Sequence, residues 1–354
     1  MINLRQLLFY TSLFLITYFI YVYPFSILNK FLFQRNIFEV SSFFLTFFFY
    51  LIILFYFKSQ NTVFILKLFV YEGMGIGFVS FWIVNLGLII NNFNFLNSFE
   101  LGIFCISLII TITILSLING RLIKLKSIKI ISSKVKNDTK VIFLSDMHLG
   151  TNSKNYLEKI YLKINNLKFD FLLIGGDLID SSTFDLQNLC ILQNLGKPVF
   201  FISGNHEYYI KDYKKKLKKL KKFDINFLDN NAHKIENINI IGISDNQKLD
   251  SQKKIAENLV QDNFFNLIVV HKPTLWENFH ERVDLMLSGH THNGQIFPFN
   301  FFVKLQFKYI YGLYKKLNSK LYVSSGCGCW GPKMRLGSNN EIVKFLISNK
   351  QDSI

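Results

Sequence analysis

The first third of the chain contains four long segments without a single charged residue. They are Gln6–Asn29, Val40–Phe57, Gly73–Ile90 and Leu101–Gly120, with lengths of 24, 18, 18 and 20 residues. An α-helix needs roughly 20 apolar residues to cross the ~30 Å hydrocarbon core of a bilayer. A cleaved signal peptide has one short apolar core, which does not account for four such segments in succession. The sequence therefore predicts an α-helical transmembrane region of four spans.

Charged residues are concentrated in the remainder of the chain. Residues 1–120 contain five Lys or Arg and three Asp or Glu, whereas residues 121–354 contain 35 and 21. This predicts a four-helix transmembrane region over 1–120 and a basic soluble domain over 121–354. Several positive residues, Arg121 and Lys124 among them, follow the fourth segment, while the loop Asn91–Phe99 has none. The positive-inside rule then predicts a soluble domain on the cytoplasmic face, although Lys30 and Arg35 in the first loop oppose this orientation.

The soluble domain repeats one pattern, an apolar strand that ends in Asp, Asn or His. Five of the chain's seven histidines lie at these strand ends. Side chains two residues apart on a strand point to the same side, so Asp146 and His148 can hold one metal ion. The candidate metal ligands at the five strand ends are Asp146, His148, Asp177, Asn205, His271, His290 and His292.

These seven ligands are too many for one ion, and all of them are oxygen or nitrogen donors. Two divalent ions that share a carboxylate fit such a set, and Mn, Fe or Zn suits it better than a thiolate-bound metal. The alternative is a set of unrelated structural histidines, which does not explain their clustering at strand ends. Cys327 and Cys329 could form a metal-binding pair, but no second cysteine pair lies nearby, so we favour their interpretation as two small residues at a strand end.

Strands alternate with helical patterns in the soluble domain, which predicts an α/β core. A half-exposed strand is predicted at Leu122–Ile130, and Leu157, Ile160 and Ile164 recur at helical spacing. Later strand-like runs suggest a second sheet; they are Ile238–Ile243, Phe265–Val270, Val283–Leu287, Leu321–Ser324 and Ile342–Ile347.

A lysine-rich segment, Lys211–Phe223, contains eight lysines and an apolar stripe of Tyr213, Leu217 and Leu220. It is either a surface helix with solvated lysines or a basic amphipathic helix that touches anionic headgroups or a polyanionic substrate. Nucleic-acid binding usually needs base-stacking aromatic residues among the charges, and this stripe offers little of that kind. We therefore expect no nucleic-acid partner.

Over residues 140–340 the motif set resembles that of the calcineurin-like metallophosphoesterases, in particular a membrane-attached bacterial branch. The motifs that carry the resemblance are Asp146-Met-His148, Gly175-Gly-Asp177, Gly204-Asn-His-Glu207, His271, Ser288–Pro298 and Gly331–Gly337. The resemblance implies a two-sheet α/β/β/α sandwich. It also implies that one ion binds Asp146, His148, Asp177 and His292, and that the other binds Asp177, Asn205, His271 and His290.

In the same resemblance, His206 is a catalytic imidazole that faces the substrate and does not bind metal. Glu207 stands where many members have Asp, so we expect a longer supporting contact there. A phosphate contact by Arg335 is one interpretation and a surface salt bridge is the other.

The resemblance implies a metal-dependent phosphoric ester hydrolase of the bacterial inner membrane, with the bilayer as a partner. We expect it to hydrolyse a phosphodiester or pyrophosphate bond, and a lipid-linked substrate such as UDP-diacylglucosamine, which some relatives cleave, is one candidate. The alternatives are a membrane-anchored phosphodiesterase for soluble nucleotides and a catalytically silent metal-binding scaffold.

Overall fold

The computed structural model describes residues 3–34, 40–59 and 63–349. The described chain divides into two compact units. The first comprises the residues up to Ile118 together with Gly331–Met334, and the second comprises Asn119–Trp330 and the residues from Arg335 onward.

The first unit consists of long apolar helices. Their bounds are Leu4–Thr17 (α1), Tyr23–Phe33 (α2), Val40–Ser59 (α3), Phe64–Asn91 (α4) and Ser98–Arg121 (α5). A π-helical turn, Tyr18–Val22, joins α1 and α2 into one 30-residue segment. Four helical segments are long and apolar enough to cross a membrane, which confirms the prediction of four such helices. The third is longer than predicted, because α4 begins at Phe64 and not at Gly73.

Individual residues explain where α1 begins and how closely α4 approaches the first segment. Asn3 caps α1, since its side chain accepts a hydrogen bond from the Gln6 N–H while the Gln6 side chain accepts one from the Asn3 N–H. On α4, a Cβ atom added at Gly77 would lie 2.2 Å from the Ile20 carbonyl oxygen. Glycine at this position therefore allows close contact between the first and third segments.

The second unit contains twelve strands in two six-stranded sheets. Their bounds are Ile123–Ile131 (β1), Thr139–Leu144 (β2), Phe171–Gly175 (β3), Val199–Ile202 (β4), Ile225–Phe227 (β5), Asn231–Ile235 (β6), Ile238–Ile243 (β7), Phe265–Val270 (β8), Leu285–Ser288 (β9), Gly312–Lys316 (β10), Ser319–Val323 (β11) and Asn340–Ser348 (β12). The first sheet has the order β1-β12-β2-β3-β4-β5 and the second has the order β10-β11-β9-β8-β7-β6.

Five helices accompany the sheets: Lys154–Asn165 (α6), Tyr213–Lys219 (α7), Leu249–Leu259 (α8), Leu275–Phe279 (α9) and Phe299–Gln306 (α10). Alternate strand residues divide the core into layers, because successive side chains point to opposite faces. Phe143 packs between the sheets with Leu267, whereas Ile142 packs against α6 on the outer face. On the far side, Ile268 packs against α8 and α9. These layers confirm the α/β/β/α sandwich.

The last strand differs from expectation. The run Ile342–Ile347 lies in β12, which belongs to the first sheet and not to the second. It pairs in parallel with β1 and antiparallel with β2. The apolar pattern of a strand identifies its buried face but not its pairing partner, so sequence proximity to β11 was misleading.

The lysine-rich segment forms a shorter helix than its pattern suggested. Helix α7 spans only seven residues, and a 3₁₀ turn, Leu220–Phe223, follows it. Leu217 and Leu220 are buried in the core beneath the first sheet while most of the lysines are exposed. This arrangement matches the interpretation of a docked surface helix.

Candidate metal centre

All predicted metal ligands follow the carboxyl ends of parallel strands. In the first sheet, β2, β3 and β4 are neighbours and parallel; in the second, β8 and β9 are neighbours and parallel. Strand β2 leads to Asp146 and His148, β3 to Asp177, and β4 to Asn205. Strands β8 and β9 lead to the three remaining histidines. The stacking of the two sheets brings these ends together around one buried site.

Asp177 occupies the middle of the site. Its Oδ2 atom lies 3.1 Å from Nε2 of His271, 3.8 Å from Nε2 of His148 and 3.9 Å from Nε2 of His206. A single carboxylate oxygen that faces three imidazoles from three strands has the position that a bridging ligand requires. Asp146, which follows β2 of the first sheet, faces a histidine from the second, with Oδ1 3.5 Å from Nε2 of His292.

The Asp and His side chains form neighbouring groups that can each hold a metal ion. One group is Asp146, His148 and His292, and a second is Asp177, His271 and His290. These match the two ligand sets implied by the resemblance, apart from the shared Asp177 contact and Asn205. A third group joins His148, Asp177 and His206.

Several buried polar atoms in the site lack the partners that buried groups normally have. The Oδ1 atom of Asn205 is buried without a hydrogen-bond donor. The Nε2 atoms of His148 and His292 face each other at 3.1 Å. An orphaned amide oxygen costs stability unless something satisfies it, and both features suit divalent cations. The residues present therefore fit a two-metal centre.

The backbone around the site adopts conformations that are rare for residues with side chains. Asp146 has a φ of 54° and Asp177 one of 52°, and three of the ligand histidines also have positive φ. Strain of this kind persists only where the surrounding structure enforces it, and it is concentrated at functional sites. A Cβ added at Gly204 would lie 2.2 Å from Asp177 Oδ1, so glycine is needed there to make room for the carboxylate.

Glu207 holds the backbone of the site in place. It is fully buried, and its carboxylate accepts hydrogen bonds from the N–H groups of Asp177, Ile179 and Gly204. These three donors come from the ends of β3 and β4, so one side chain ties the two ligand-bearing loops together. Burial and the Asp177 carboxylate raise the pKa of Glu207 to about 8, against the lowering effect of its N–H donors.

Asp180 is a site residue that the sequence analysis missed. Its Oδ2 atom lies 3.4 Å from Nδ1 of His148, and its Oδ1 atom accepts a hydrogen bond from the Thr151 N–H. Carboxylates that face the second nitrogen of a ligand histidine orient the ring and raise its basicity. The available signal was a second Asp three residues after Asp177 in the same loop.

The structure corrects the interpretation of Arg335 as a phosphate contact or a surface salt bridge. Its side chain is completely buried, so it forms no surface ion pair. All three guanidinium nitrogens donate to protein acceptors, which leaves none directed at a substrate. The acceptors are the carbonyl oxygens of His292, Ser325 and Gly328, the Ser338 hydroxyl and the Asn340 side chain. Arg335 thus fixes the loop that carries His292.

Two of the four candidate ligand histidines are held in the form that binds metal. Burial lowers the pKa of His290 to about 3 and that of His292 well below its usual value. Neutral imidazole is the ligating form. His148 and His271 differ: burial lowers the pKa of His148, but the neighbouring Asp180 and Asp177 carboxylates outweigh that effect and raise it. For His271, burial also lowers the pKa, but the Asp177 and Asp146 carboxylates raise it to about 10. Metal binding at this position must therefore displace a proton.

His206 lies at the rim of the site. Its side chain is 17% exposed, compared with 0% for His271. The exposed aromatic rings of Tyr209 and Trp330 flank it, with centroids 5.4 and 5.8 Å from that of the imidazole. This placement leaves His206 open to a bound molecule. Cys327 and Cys329 are buried thiols and are absent from the metal-binding groups of the described chain.

Comparison with known proteins identifies the class to which this fold and site belong. The family model of calcineurin-like phosphoesterases matches residues 139–294. An uncharacterized metallophosphoesterase of Aquifex aeolicus is 31% identical over 227 residues, which cover 60% of this chain and 86% of that protein. The chain belongs to the calcineurin-like metallophosphoesterase family.

Other relatives extend the likeness. An uncharacterized metallophosphoesterase of Campylobacter jejuni is 37% identical over 242 residues, 64% of each chain. A transmembrane protein with metallophosphoesterase domain from Danio rerio is 29% identical over 235 residues, covering 60% of this chain and 53% of that one. The match thus spans about 64% of the length of the C. jejuni relative. The four apolar helices and this transmembrane relative indicate membrane association.

Proposed function

We propose that this protein is a membrane-bound phosphoesterase that uses two divalent metal ions to hydrolyse a phosphodiester or pyrophosphate bond, with a lipid-linked phosphate compound as its substrate. The observation that carries the proposal is the position of Asp177, whose Oδ2 atom lies within 3.9 Å of three imidazole nitrogens. Family membership supports phosphoester hydrolysis, and the four apolar helices support a substrate held in the bilayer.

The candidate ligands fall into two sets that share Asp177. One ion would be held by Asp146, His148, Asp177 and His292, and the other by Asp177, Asn205, His271 and His290. When bound, a pair of Mn, Fe or Zn ions supplies charge that stabilises phosphate oxygens and lowers the pKa of water. His271 is oriented by its Nδ1–H, which donates to the Gly175 carbonyl at 2.8 Å and turns Nε2 toward Asp177.

His206 has the geometry of a general acid. Its Nε2 atom is 3.9 Å from Asp177 Oδ2 at the open side of the site, where it can donate a proton to a leaving oxygen. Burial lowers the pKa of His206 to about 4. An anionic phosphate group beside the ring raises that pKa, because an adjacent negative charge stabilises the imidazolium. The substrate itself therefore helps to protonate this residue.

The membrane orientation is part of the proposal. We infer an integral protein of the bacterial inner membrane with the soluble domain on the cytoplasmic face. The support is the group of positive residues after α5, including Arg121, Lys124 and Lys126, together with the uncharged loop before this helix.

The proposal is tested with the full chain purified in detergent. Bound metal is quantified, and hydrolysis of bis-p-nitrophenyl phosphate is compared with that of p-nitrophenyl phosphate in the presence of Mn. We expect two ions per chain and diester cleavage. His206→Ala should retain metal and lose roughly 10²–10⁴-fold in kcat. His233→Ala, which removes an exposed histidine on β6, is the matched control and should retain full activity.

Leaving-group dependence sharpens this test. Loss of a general acid affects a poor leaving group such as phenol more than p-nitrophenol, so His206→Ala should lose more activity on diphenyl phosphate. An equal loss on both compounds would exclude the general-acid role. Folded protein that holds metal but cleaves neither diester would favour the silent scaffold.

The exposed rings of Tyr209 and Trp330 beside His206 favour a second candidate, a soluble nucleotide diester whose base stacks on these rings. The two candidates are separated by comparing kcat/KM for a lipid pyrophosphate in mixed micelles with that for soluble nucleotides. Equal or better turnover of the nucleotides would remove the lipid-linked substrate from the proposal.

A further inference from the structure

Helix α10 presents apolar side chains to the surroundings. None of its residues is buried. Four aromatic residues and one leucine, which we call the α10 apolar surface, are each about half exposed or more: Phe297, Phe299, Phe301, Phe302 and Leu305. Isolated exposed apolar residues are normal in soluble proteins, but a contiguous cluster of this size marks an interaction site.

The helix is anchored beside the candidate metal centre. Phe307 follows α10 and is buried, and its ring centroid lies 5.2 Å from that of His290. At the other end, the buried Gly294 lies against the backbone of Asn300, because an added Cβ would be 2.3 Å from the Asn300 Cα. The helix is therefore a fixed feature of the site's surroundings.

The segment that contains the α10 apolar surface is rich in lysine. Residues 285–340 contain six lysines, one arginine and no Asp or Glu. Lys304 lies within α10 and is exposed, whereas Lys308 follows the helix and forms an ion pair with Glu277 at 2.9 Å. Aromatic and aliphatic side chains combined with lysines are typical of helices that lie in a membrane interface and bind anionic lipids.

The connection from α10 to β10 lies next to β1, the strand that follows the last apolar helix. The Lys126 Nζ atom of β1 lies 4.6 Å from the ring centroid of Tyr311. One residue, Leu122, separates the end of α5 from the start of β1. The segment that carries α10 thus contacts β1.

We propose that the α10 apolar surface inserts into the interface of a bilayer that contains anionic lipids, so that the soluble unit has a membrane contact of its own. The phenylalanines enter the boundary between headgroups and acyl chains, and Lys304 pairs with a lipid phosphate. Because Phe307 packs on His290, this contact brings the lipid surface close to the metal centre. The inference concerns binding and does not require that the site hydrolyses a lipid.

The test uses the full chain in vesicles of phosphatidylcholine with phosphatidylglycerol. The exposed Cys190 is first replaced by Ser, since the other cysteines are buried. An environment-sensitive fluorophore is then placed at Phe299→Cys or at Phe302→Cys. The control is Phe227→Cys, an exposed phenylalanine on β5 at the opposite edge of the first sheet from β1.

We expect nitroxide-labelled lipids to quench the fluorophore at positions 299 and 302 at least about twofold, because interfacial helices lie ~5–10 Å into the headgroup boundary. The control position should remain unquenched. Adding Lys304→Glu should reduce the quenching, and the reduction should disappear in vesicles of phosphatidylcholine alone.

Quenching at positions 299 and 302 that equals the control would overturn the proposal. Disulfide formation between unlabelled Phe302→Cys chains, together with no quenching of the labelled protein, would assign the surface to a second copy of the chain and would also overturn it. Near-ultraviolet circular dichroism and bound metal show whether each variant folds. Since quenching requires no turnover, its outcome is independent of the proposed enzymatic activity.

Discussion

The Oδ2 atom of Asp177 lies 3.1 Å from Nε2 of His271, and the two residues come from different sheets. The carboxylate follows β3 in the first sheet and the imidazole follows β8 in the second. The candidate metal centre therefore spans the sandwich, and its geometry depends on the correct packing of both sheets.

Replacement of the central carboxylate should affect the whole site. For Asp177→Asn we expect loss of both metal ions from the purified protein and a fall in diester hydrolysis of more than about 100-fold. Loss of a residue that only supports a metal ligand already lowers metal affinity or activity by about 10–100-fold. Elemental analysis and kcat measure the two effects. Retention of both ions with normal activity would contradict the bridging role.

Asp180 should act through His148 and not on the substrate. For Asp180→Asn we expect metal affinity to fall by about 10–100-fold, because the carboxylate no longer orients the ring or raises its basicity. The measurement is activity as a function of added Mn, and saturating metal should restore most of kcat. Asp185→Asn, in the same connection but farther from the site, is the control. A kcat loss that excess metal does not restore would argue against this assignment.

Arg335 should contribute both to stability and to metal binding. Arg335→Met leaves the buried carbonyls of Ser325 and Gly328 without their guanidinium donor, and each lost hydrogen bond costs ~1–3 kcal/mol. We expect a decrease of about 2–5 kcal/mol in the free energy of unfolding. Arg335→Lys keeps the charge but lacks the planar guanidinium with its several N–H donors, so it should recover only part of the lost free energy of unfolding.

The metal requirement of the Arg335 variants distinguishes a role in folding from a role in positioning His292. If Arg335 positions His292, the Lys variant should need more metal for half-maximal activity even at temperatures where it is fully folded. An unchanged metal requirement would restrict Arg335 to a role in folding.

Glu207 provides a test of side-chain length. Glu207→Asp shortens the side chain by one methylene, so we expect it to lose at least one of its three N–H donors, at a cost of ~1–3 kcal/mol. Glu207→Gln keeps the length but replaces one acceptor oxygen with an amide donor. Thermal unfolding with metal present measures both. The Asp variant should keep more activity than Glu207→Ala, which loses all three contacts; equal activity of the two would show that the carboxylate is dispensable.

Metal removal should also destabilise the protein. A chelator leaves Asp146, Asp177 and the neighbouring imidazoles without the cations that we propose, while added Mn stabilises the folded state by about 2.7 kcal/mol at 100 times its dissociation constant. The midpoint of unfolding in detergent should therefore rise with Mn concentration in the wild type. Asp177→Asn should show no such rise, and an equal response of both proteins would contradict a metal site at Asp177.

Much of this architecture follows from local patterns in the sequence. The four uncharged segments predicted four long apolar helices because the length needed to cross a bilayer is independent of tertiary contacts. The strand ends that carry Asp146, Asp177 and His271 were recognisable because a run of apolar residues that stops at a polar ligand is a short-range feature. The resemblance of these motifs to one family supplied the sandwich fold.

Other properties depend on contacts between residues that are distant in the sequence. The pairing of β12 with β1 and β2, the burial of Arg335 behind His292 and the approach of Asp180 to His148 arise only when the chain is folded. The exposed apolar side of α10 also escaped prediction, because the pattern of a short amphipathic helix does not reveal whether its apolar side chains face a core or remain uncovered. Periodicity reports the preferences of a segment, whereas partner, burial and orientation are determined by how all the segments pack.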